Sequence, residues 1–225
     1  MEFFLFQIFP YVAVVTFVIG SVVRFNRDPY SWRSKSSQLL RRRQLVLGST
    51  LFHIGVITII VGHTIGLLTP IIIFDYIGIS HSIKQMIAIY LGGTAGLVCL
   101  TGLVLLLHRR LFDPRIFATS SVLDIGVLVV LLMQLCLGLY SLFESLNHLD
   151  GREMVKFMNW AQYIVTFQRG ADLFISDVAL VFKLHIVLGL ILLFIWPFTR
   201  LVHVFSMPLE YLFRPYQIVR KRGIR

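Results

Sequence analysis

Five apolar segments, each about 20 residues long, limit what this chain can fold into. They cover residues 3–23, 45–68, 85–107, 122–143 and 179–204. A helix needs about 20 apolar residues to cross a bilayer, and it makes all its backbone hydrogen bonds within one segment. Because 57% of the 225 residues are hydrophobic and 14% are charged, a water-exposed surface is excluded. The sequence therefore predicts an all-α, polytopic membrane bundle of five transmembrane helices.

The basic residues are distributed unevenly between the two sides of this bundle. Sixteen of the 21 Lys and Arg residues fall in the first and third connections and the C-terminal tail. Because cytoplasmic loops carry an excess of Lys and Arg, we expect the N-terminus outside and the C-terminus in the cytoplasm. No basic residue precedes the first span, which begins beside Glu2, so we expect this span to be retained rather than cleaved as a signal peptide.

Charge, cysteine content and organisation exclude other classes of protein. The net charge of +10 does not indicate nucleic-acid binding, because the basic residues flank apolar segments and form no stripe on a soluble domain. Cys99 and Cys136 lie within spans and form no CxxC or CxxCH motif, so neither a disulfide framework nor covalently attached haem is indicated. With no internal repeat or long linker, a single domain over 1–225 is expected.

Four histidines lie inside two of the apolar segments: His53 and His63 in the second, His185 and His203 in the fifth. Ionisable side chains are costly in lipid and usually face a bundle interior, where they have a function. Two helices that supply two rings each can hold two b-type haems, each with an imidazole on either side of its iron. The alternative is a non-redox scaffold with packed histidines. We favour haem, because four rings without partners would be expensive in lipid.

The opposite directions of the second and fifth spans determine which histidines pair. His53 is expected to face His203 near the inner side, and His63 to face His185 near the outer side. If the fifth span is a continuous helix, His185 and His203 lie on one stripe about 27 Å apart along the helix axis. In the second span, His53 and His63 are about 15 Å apart along the axis and differ by a rotation of about 80°. Helix tilt, imidazole reach or a bend at Pro197 are open ways to absorb this mismatch.

The residues around the histidines also bear on function. Small residues next to the four rings are consistent with clearance for a flat macrocycle, although they also mediate ordinary helix packing; they are Ser49, Thr50, Gly66, Gly189 and Ser206. Iron with two axial imidazoles relays electrons rather than binding oxygen. The chain has no GxGxxG context for a flavin or nicotinamide and no cysteine set for an iron–sulfur cluster. The expected donor is therefore a quinol and the expected acceptor is another subunit.

A further segment lies between the fourth and fifth spans. Apolar residues recur at helical spacing from Met154 to Val165, and polar residues from Arg152 to Thr166 fall on the opposite side. This pattern predicts a short amphipathic outer helix. It would either lie flat on the membrane and shape a quinol entrance, or serve as a packed connector.

Four stretches of the sequence resemble a known family. They are STLFHIGVITIIVGHTIGLLTP at 49–70, VCLTGLVLLLHRRLFDPR at 98–115, DGREMVKFMNWAQYIVTF at 150–167 and FKLHIVLGLILLFIWPFTRLVHVFSMPLEYL at 182–212. The whole chain resembles the gamma subunit of bacterial respiratory nitrate reductase. The resemblance implies a dihaem cytochrome b of the bacterial cytoplasmic membrane that oxidises quinol. It would pass electrons to cytoplasmic iron–sulfur and molybdenum subunits, and this chain alone would reduce no nitrate.

The resemblance also implies roles for individual residues. His63 and His185 match the axial ligands of the outer haem, and His53 and His203 match those of the inner haem. Lys84, within SIKQM, matches a lysine beside the outer haem and the quinol. From the residues alone, we favour a lysine that extends to the membrane surface and anchors a helix end; with the resemblance, we favour contact with the quinol.

Four further positions are candidates near the two haems. His63 is expected to line the quinol site together with Gly62 and Gly66. Arg109 and Arg110, at the inner end of the third span, are candidates to pair with the propionates of the inner haem. Ordinary anchoring by positive charge explains these two arginines nearly as well.

Two interpretations of function remain beside the favoured one. The chain would be a cytochrome b anchor for another reductase, such as a heterodisulfide-type or sulfite-linked complex, or a non-redox scaffold. The reductase subunits that copurify distinguish the first, and a visible spectrum distinguishes the second. In the favoured interpretation, the tail with Glu210, Arg214 and the basic run 220–222 helps to hold the soluble subunits.

Overall fold

The computed structural model describes residues 1–28, 40–147 and 149–206, and every regular element within these ranges is a helix. The α-helices are α1 (Phe9–Arg27), α2 (Arg42–Leu68), α3 (Ile71–Tyr76), α4 (His81–Phe112), α5 (Pro114–Ala118), α6 (Val122–Leu146), α7 (Arg152–Val165) and α8 (Leu180–Ile195). Five helical segments, those containing α1, α2, α4, α6 and α8, are long and apolar enough to cross a membrane. The predicted all-α class with five spans is confirmed.

From the second to the fifth, the spanning helices pack in the order in which they follow one another in the chain, and the first packs on the last. Helix α2 packs mainly on α4, α4 on α6, α6 on α8, and α8 on α1. The two histidine-bearing spans therefore belong to different packed pairs. They approach each other across the bundle through side chains, and their histidine rings meet there.

Glycines allow α2 and α4 to approach closely. A Cβ built on Gly55 would lie 2.6 Å from the Ala95 carbonyl oxygen and from Cys99 Cβ, and a Cβ on Gly48 would lie 3.2 Å from the Gly102 carbonyl oxygen. Small residues serve this purpose between helices in membranes. Helical periodicity places His53 about 150° around α2 from this glycine face. The packing on α4 thus leaves the His53 side of α2 available to other groups.

Helix α7 is fastened to one end of the bundle, which also holds the N-terminal residues and α3; we call it the α7 end. Trp160 Nε1 donates a hydrogen bond to the Phe6 carbonyl oxygen (2.8 Å), and Gln162 Nε2 donates one to the Thr69 carbonyl oxygen (3.1 Å) at the end of α2. Met158 is fully buried. These contacts support the packed-connector interpretation of the amphipathic segment.

The polar side of α7 carries an ion-pair cluster around Lys156. Its ammonium donates hydrogen bonds to Asp177 (2.8 Å) and Glu153 (2.9 Å). The bond to Asp177, followed by the one to Glu153, raises the pKa of Lys156, and the same contact lowers the pKa of Asp177. Because the lowered pKa belongs to a carboxylate, the link is present at neutral pH. It is lost as the pH falls through the lowered pKa of Asp177.

The fifth predicted span is not one continuous helix, which corrects the expectation for 179–204. Helix α8 ends at Ile195, a 3₁₀ turn covers Trp196–Phe198, and Thr199 is extended with φ −112° and ψ 179°. A second 3₁₀ segment then runs over Arg200–Ser206. The interruption coincides with Pro197, which has no N–H to donate and clashes with the carbonyl of a preceding helical turn.

The first spanning helix holds this break in place. Arg24 Nη1 donates hydrogen bonds to the carbonyl oxygens of Pro197 and Thr199, both at 2.6 Å. His203 therefore belongs to a separate segment from His185, and the calculation of a single 18-residue stripe does not apply. Of the three ways to absorb the mismatch in spacing, the structure contains the break around Pro197. The tail with Glu210, Arg214 and 220–222 lies outside the described residues.

Candidate functional site

The four intramembrane histidines form two pairs between α2 and the last span. The ring centres of His63 and His185 lie 6.3 Å apart, on the side of the bundle nearer the α7 end. Those of His53 and His203 lie 6.2 Å apart, nearer the opposite end, which we call the Arg109 end. The structure thus brings together the two pairs that the antiparallel directions of the spans predict.

The ring separation matches what a metal ion between two imidazoles requires. A metal–imidazole nitrogen bond is about 2 Å long, and the nitrogen lies about 1 Å from the centre of its ring, so one ion between facing rings separates their centres by about 6 Å. Two imidazoles per site suit haem, whose macrocycle supplies the other iron ligands. Within the described ranges, no group of three or more His, Cys, Asp or Glu side chains is arranged to hold a metal ion.

Backbone hydrogen bonds orient three of the four rings. In each, Nδ1 contacts a carbonyl oxygen one turn earlier; the contacts are His53 to Ser49 (2.7 Å), His63 to Ile59 (2.9 Å) and His203 to Arg200 (2.6 Å). A ring whose Nδ1–H donates to a carbonyl presents Nε2 as its free lone pair, and metal-binding histidines usually have such a partner. The residues present therefore fit bis-histidine haem ligation.

Open space accompanies the histidines of α2. A groove of about 600 Å³ borders His53 and is lined by Ser49, Thr50, His53, Ile54, Ile57 and Thr58. A Cβ built on Gly62 or Gly66 would meet no atom of the described residues within 4 Å. Ser49, Thr50 and Gly66 therefore border space, as the clearance argument predicts. Gly189 differs, because a Cβ there would lie 3.2 Å from Gln134 Nε2.

Lys84 is buried at the start of α4, with 7% of its surface exposed. Its Nζ lies 3.4 Å from Met158 Sδ and 4.3 Å from the centre of the Phe74 ring. A lysine that extends to the membrane surface would place its ammonium in water, and this one is covered by α3 and α7. Met158 is one turn from Gln162, which bonds the end of α2. Helix α7 thus links Lys84 to the helix that carries His63.

The two candidate arginines contact protein groups at the Arg109 end. Arg109 is buried, and its Nη2 donates to the Leu40 carbonyl oxygen at 2.7 Å. Arg110 Nη1 lies 3.5 Å from Asp124 Oδ2, and Arg200 Nε lies 2.6 Å from Asp124 Oδ1. Arg109 thus fastens the connection that precedes α2, while Arg110 is linked through Asp124 to the segment that carries His203. Propionate pairing stays a prediction for both.

Sequence reasoning missed three residues that contact the candidate site residues. Gln134 contacts His185, Met158 contacts Lys84, and Asp124 joins Arg110 to Arg200. A signal was present for two of them, because a polar side chain within an apolar span usually has a specific partner. No such signal exists for Met158, because an apolar residue on the apolar side of α7 is expected to be buried whether or not it contacts Lys84.

The helical bundle and its paired intramembrane histidines define a multi-pass membrane protein with two candidate redox centres. Residues 2–222 match the family described as nitrate reductase gamma subunit. The chain is 46% identical over 222 residues to the respiratory nitrate reductase 1 gamma chain of Escherichia coli (strain K12), covering 99% of this chain and 98% of that one. It is 42% identical over 219 residues to the nitrate reductase gamma chain of Bacillus subtilis (strain 168), with 97% and 98% covered.

The chain therefore belongs to the nitrate reductase gamma subunit family and is a membrane subunit of a respiratory nitrate reductase, a redox enzyme complex. This membership confirms the resemblance seen in the sequence. It also favours nitrate reductase over the heterodisulfide-type and sulfite-linked complexes considered as alternatives.

Proposed function

We propose that this chain is the quinol-oxidising cytochrome b subunit of its complex. It is anchored in the bacterial cytoplasmic membrane with the α7 end outside and the Arg109 end inside. Electrons from quinol pass to cytoplasmic iron–sulfur and molybdenum subunits, where nitrate is reduced. The observation that carries the proposal is the two histidine pairs, with ring centres 6.2 and 6.3 Å apart.

Each histidine pair would hold one b-type haem. His63 and His185 would be the axial ligands at the outer site, and His53 and His203 those at the inner site. The carbonyl contacts of His53, His63 and His203 fix these rings so that Nε2 is available for iron. A haem held by these histidines would supply one-electron transfer and would leave no iron position open to oxygen.

Lys84 is proposed to bind the quinol. An ammonium has three donor hydrogens, and the contacts that the structure gives Lys84 are a thioether and an aromatic face. Both are weak partners, so a quinol oxygen would be the stronger acceptor, and burial strengthens such a contact. The open side of α2 at Gly62 and Gly66 gives room for the quinol ring beside His63.

Because quinol is oxidised on one side of the membrane and nitrate is reduced on the other, the reaction would separate charge across the membrane. A quinol that loses two electrons also releases two protons, and at the α7 end these protons leave on the outer side. Nitrate reduction by the partner subunits consumes protons in the cytoplasm. Charge is thus separated across the membrane without a pumped proton. Sixteen of the 21 basic residues flank the spans on the proposed inner side, which supports this orientation.

The test is the haem content and spectrum of the purified complex. A pyridine haemochrome assay should give two b-type haems per chain. His63→Ala and His185→Ala should each remove or distort the outer haem and suppress quinol-driven electron entry, while an artificial donor to the soluble subunits still works. His108→Ala is the matched control, because His108 contacts Gln44 and belongs to neither pair. Two normal low-spin haem signals in both outer-site variants would contradict the pairing.

A further inference from the structure

We propose that Arg24 of α1 is a positioning residue for His203. Arg24 bonds the chain where the last span is interrupted, and it thereby sets the orientation of the His203 ring against His53. It would thus determine the ligand geometry of the haem at the His53–His203 site. The inference rests on the proposed function, since it takes His203 as an axial ligand.

The interruption at Pro197 leaves backbone acceptors that need a donor from another helix. The last carbonyl groups of a helical segment have no partner within it, and a buried carbonyl without a donor costs free energy. Pro197 is fully buried and Thr199 is 6% exposed. Arg24 Nη1 donates to both of their carbonyl oxygens at 2.6 Å. A charged donor forms stronger hydrogen bonds than a neutral one, and a cation suits the negative end of a helix.

The bonded stretch of chain leads directly to His203, which follows Thr199 by four positions. The Thr199 hydroxyl accepts a hydrogen bond from the Leu201 backbone N–H (3.2 Å), at the start of the second 3₁₀ segment. Within that segment, the Arg200 carbonyl oxygen contacts Nδ1 of His203 at 2.6 Å. A displacement of Thr199 is therefore passed through a short, bonded backbone to the ring.

Aromatic contacts join α1 to the last span on both sides of His203. The ring of Phe17 packs edge-on against Trp196, before the interruption, with ring centres 5.7 Å apart. The same ring contacts Phe205, two positions beyond His203, with ring centres 5.5 Å apart. Helix α1 supplies none of the four histidines, yet it contacts the segment that carries one of them at both ends.

A glycine brings α1 close to the interruption. Gly20 precedes Arg24 by one turn, and a Cβ built there would lie 2.9 Å from Cβ and Cγ of Pro197. Gly20 follows Phe17 by three positions, so that all three residues lie on one stripe of α1. This close approach allows the Arg24 guanidinium to reach the carbonyl groups around Pro197.

The planes of the two rings at this site are far from parallel. The planes of His53 and His203 make an angle of 76°. The bond between His203 and the Arg200 carbonyl oxygen lies within one segment, so it cannot fix this angle relative to a ring on α2. Contacts of the segment with other helices must do so. They come from Arg24 of α1 and from the ion pair of Arg200 with Asp124 of α6.

The competing explanation is that Arg24 serves only as a positive charge that anchors α1 on the inner side of the membrane. Two substitutions separate the explanations. Arg24→Gln removes the charge and shortens the side chain, so that both carbonyl bonds are lost. Gly20→Ala keeps the charge, but its Cβ forces Pro197 away from α1. Positioning predicts that both variants change the His53–His203 site, whereas charge anchoring predicts no effect of Gly20→Ala.

The measurement is the electron paramagnetic resonance spectrum of the oxidised, purified complex, together with its haem content. The largest g value of a low-spin ferric haem is highest when the planes of its two imidazoles are perpendicular. Because 76° is close to that limit, most displacements of the His203 ring reduce the angle. Arg24→Gln and Gly20→Ala should therefore each lower the largest g value of the His53–His203 haem. The His63–His185 haem should keep its signal and serves as an internal reference.

Arg27→Gln is the matched control. Arg27 lies in the last turn of the same helix, carries the same charge and is exposed. Its replacement should leave both haem signals unchanged. Unchanged g values in a fully loaded Arg24→Gln complex would overturn the inference. Equal changes in the Arg24→Gln and Arg27→Gln complexes would overturn it as well, because they would assign the effect to charge.

If Arg24→Gln fails to assemble, Gly20→Ala decides. A shift confined to the His53–His203 haem supports the positioning role, whereas no shift, or a shift of both haems, refutes it. Failure of the proposed function has a different signature, since the unsubstituted complex would then contain no b-type haem. The two failures are therefore distinguishable.

Discussion

Replacement of Asp124 should destabilise the Arg109 end of the bundle. On heating, the His53–His203 site should therefore be lost before the His63–His185 site. The side chain of Asp124 is 4% exposed, and its two oxygens contact Arg200 Nε (2.6 Å) and Arg110 Nη1 (3.5 Å). One of these oxygens also accepts a hydrogen bond from the Ser121 backbone N–H (3.0 Å) at the start of α6. The Arg200 carbonyl oxygen in turn contacts Nδ1 of His203.

The size of the effect follows from these contacts. Breaking a buried ion pair by removing one partner costs about 3–5 kcal/mol. Because the side chains of Arg110 and Arg200 keep 21% and 29% of their exposure, we reduce this to about 2 kcal/mol for solvent screening. The lost capping contact with Ser121 adds about 1 kcal/mol. Asp124→Ala should therefore lower the free energy of unfolding by about 3 kcal/mol, and Asp124→Asn, which keeps an acceptor for the cap, by about 2 kcal/mol.

Thermal denaturation of the purified complex in detergent, with haem spectra recorded during heating, measures this. A loss of 1 kcal/mol lowers the midpoint by about 2–4 °C for a chain of this size, so Asp124→Ala should lower it by about 6–12 °C. Loss of the His53–His203 haem should come first. Asp113→Asn is the control, since Asp113 pairs with the exposed Arg41. If Asp124→Ala and Asp113→Asn give the same midpoint and lose both haems together, the ion cluster does not hold this end.

Three further substitutions or truncations test other parts of the bundle. Lys84→Ala should impair quinol oxidation and weaken the binding of quinol-site inhibitors while both haems remain, whereas Lys156→Ala, on the polar side of α7, should leave quinol oxidation unchanged. Steady-state quinol kinetics and a haem assay measure this. Normal kinetics at full haem loading would show that Lys84 is not part of the site. Truncation after Leu209 should release the soluble subunits from the membrane, and unchanged attachment would assign docking to the other cytoplasmic connections. Gly55→Leu should remove both haem signals, because α2 then cannot pack on α4. Gly92→Ala should keep both signals, because a Cβ at Gly92 meets no atom of the described residues within 4 Å. Normal spectra for Gly55→Leu would refute the role of this packing.

The architecture and the histidine pairs were predictable from the sequence because each follows from a strong and local signal. Apolar length alone defines the spans. Once consecutive spans alternate in direction, His63 can meet His185 and His53 can meet His203 without further information. These inferences need only that the two histidine-bearing spans face each other, and they agree with the positions of the rings in the structure.

Features that depend on helix neighbours were not predictable. Gly189 was assigned to clearance for a macrocycle, and in the structure it faces the Gln134 amide of α6. The burial of Lys84 depends on Phe74 and Met158, and Met158 lies 74 positions away in the chain. Pro197 indicated a bend in the last span, but a proline does not specify the direction or position of the segment that follows it. The hydrogen bonds from α1 determine that, and no local pattern encodes them.

The pairing of the first spanning helix with the last has a consequence for synthesis of the protein. Arg24 finds its acceptors in Pro197 and Thr199, which are 173 and 175 positions further along the chain. At a translation rate of about 5–20 residues per second, about 9–35 s pass between the emergence of Arg24 and that of its partners. During that interval α1 resides in the bilayer without the helix on which it packs. Completion of the bundle is thus tied to the end of translation, and a ribosome that stalls before Pro197 leaves the first helix unassembled.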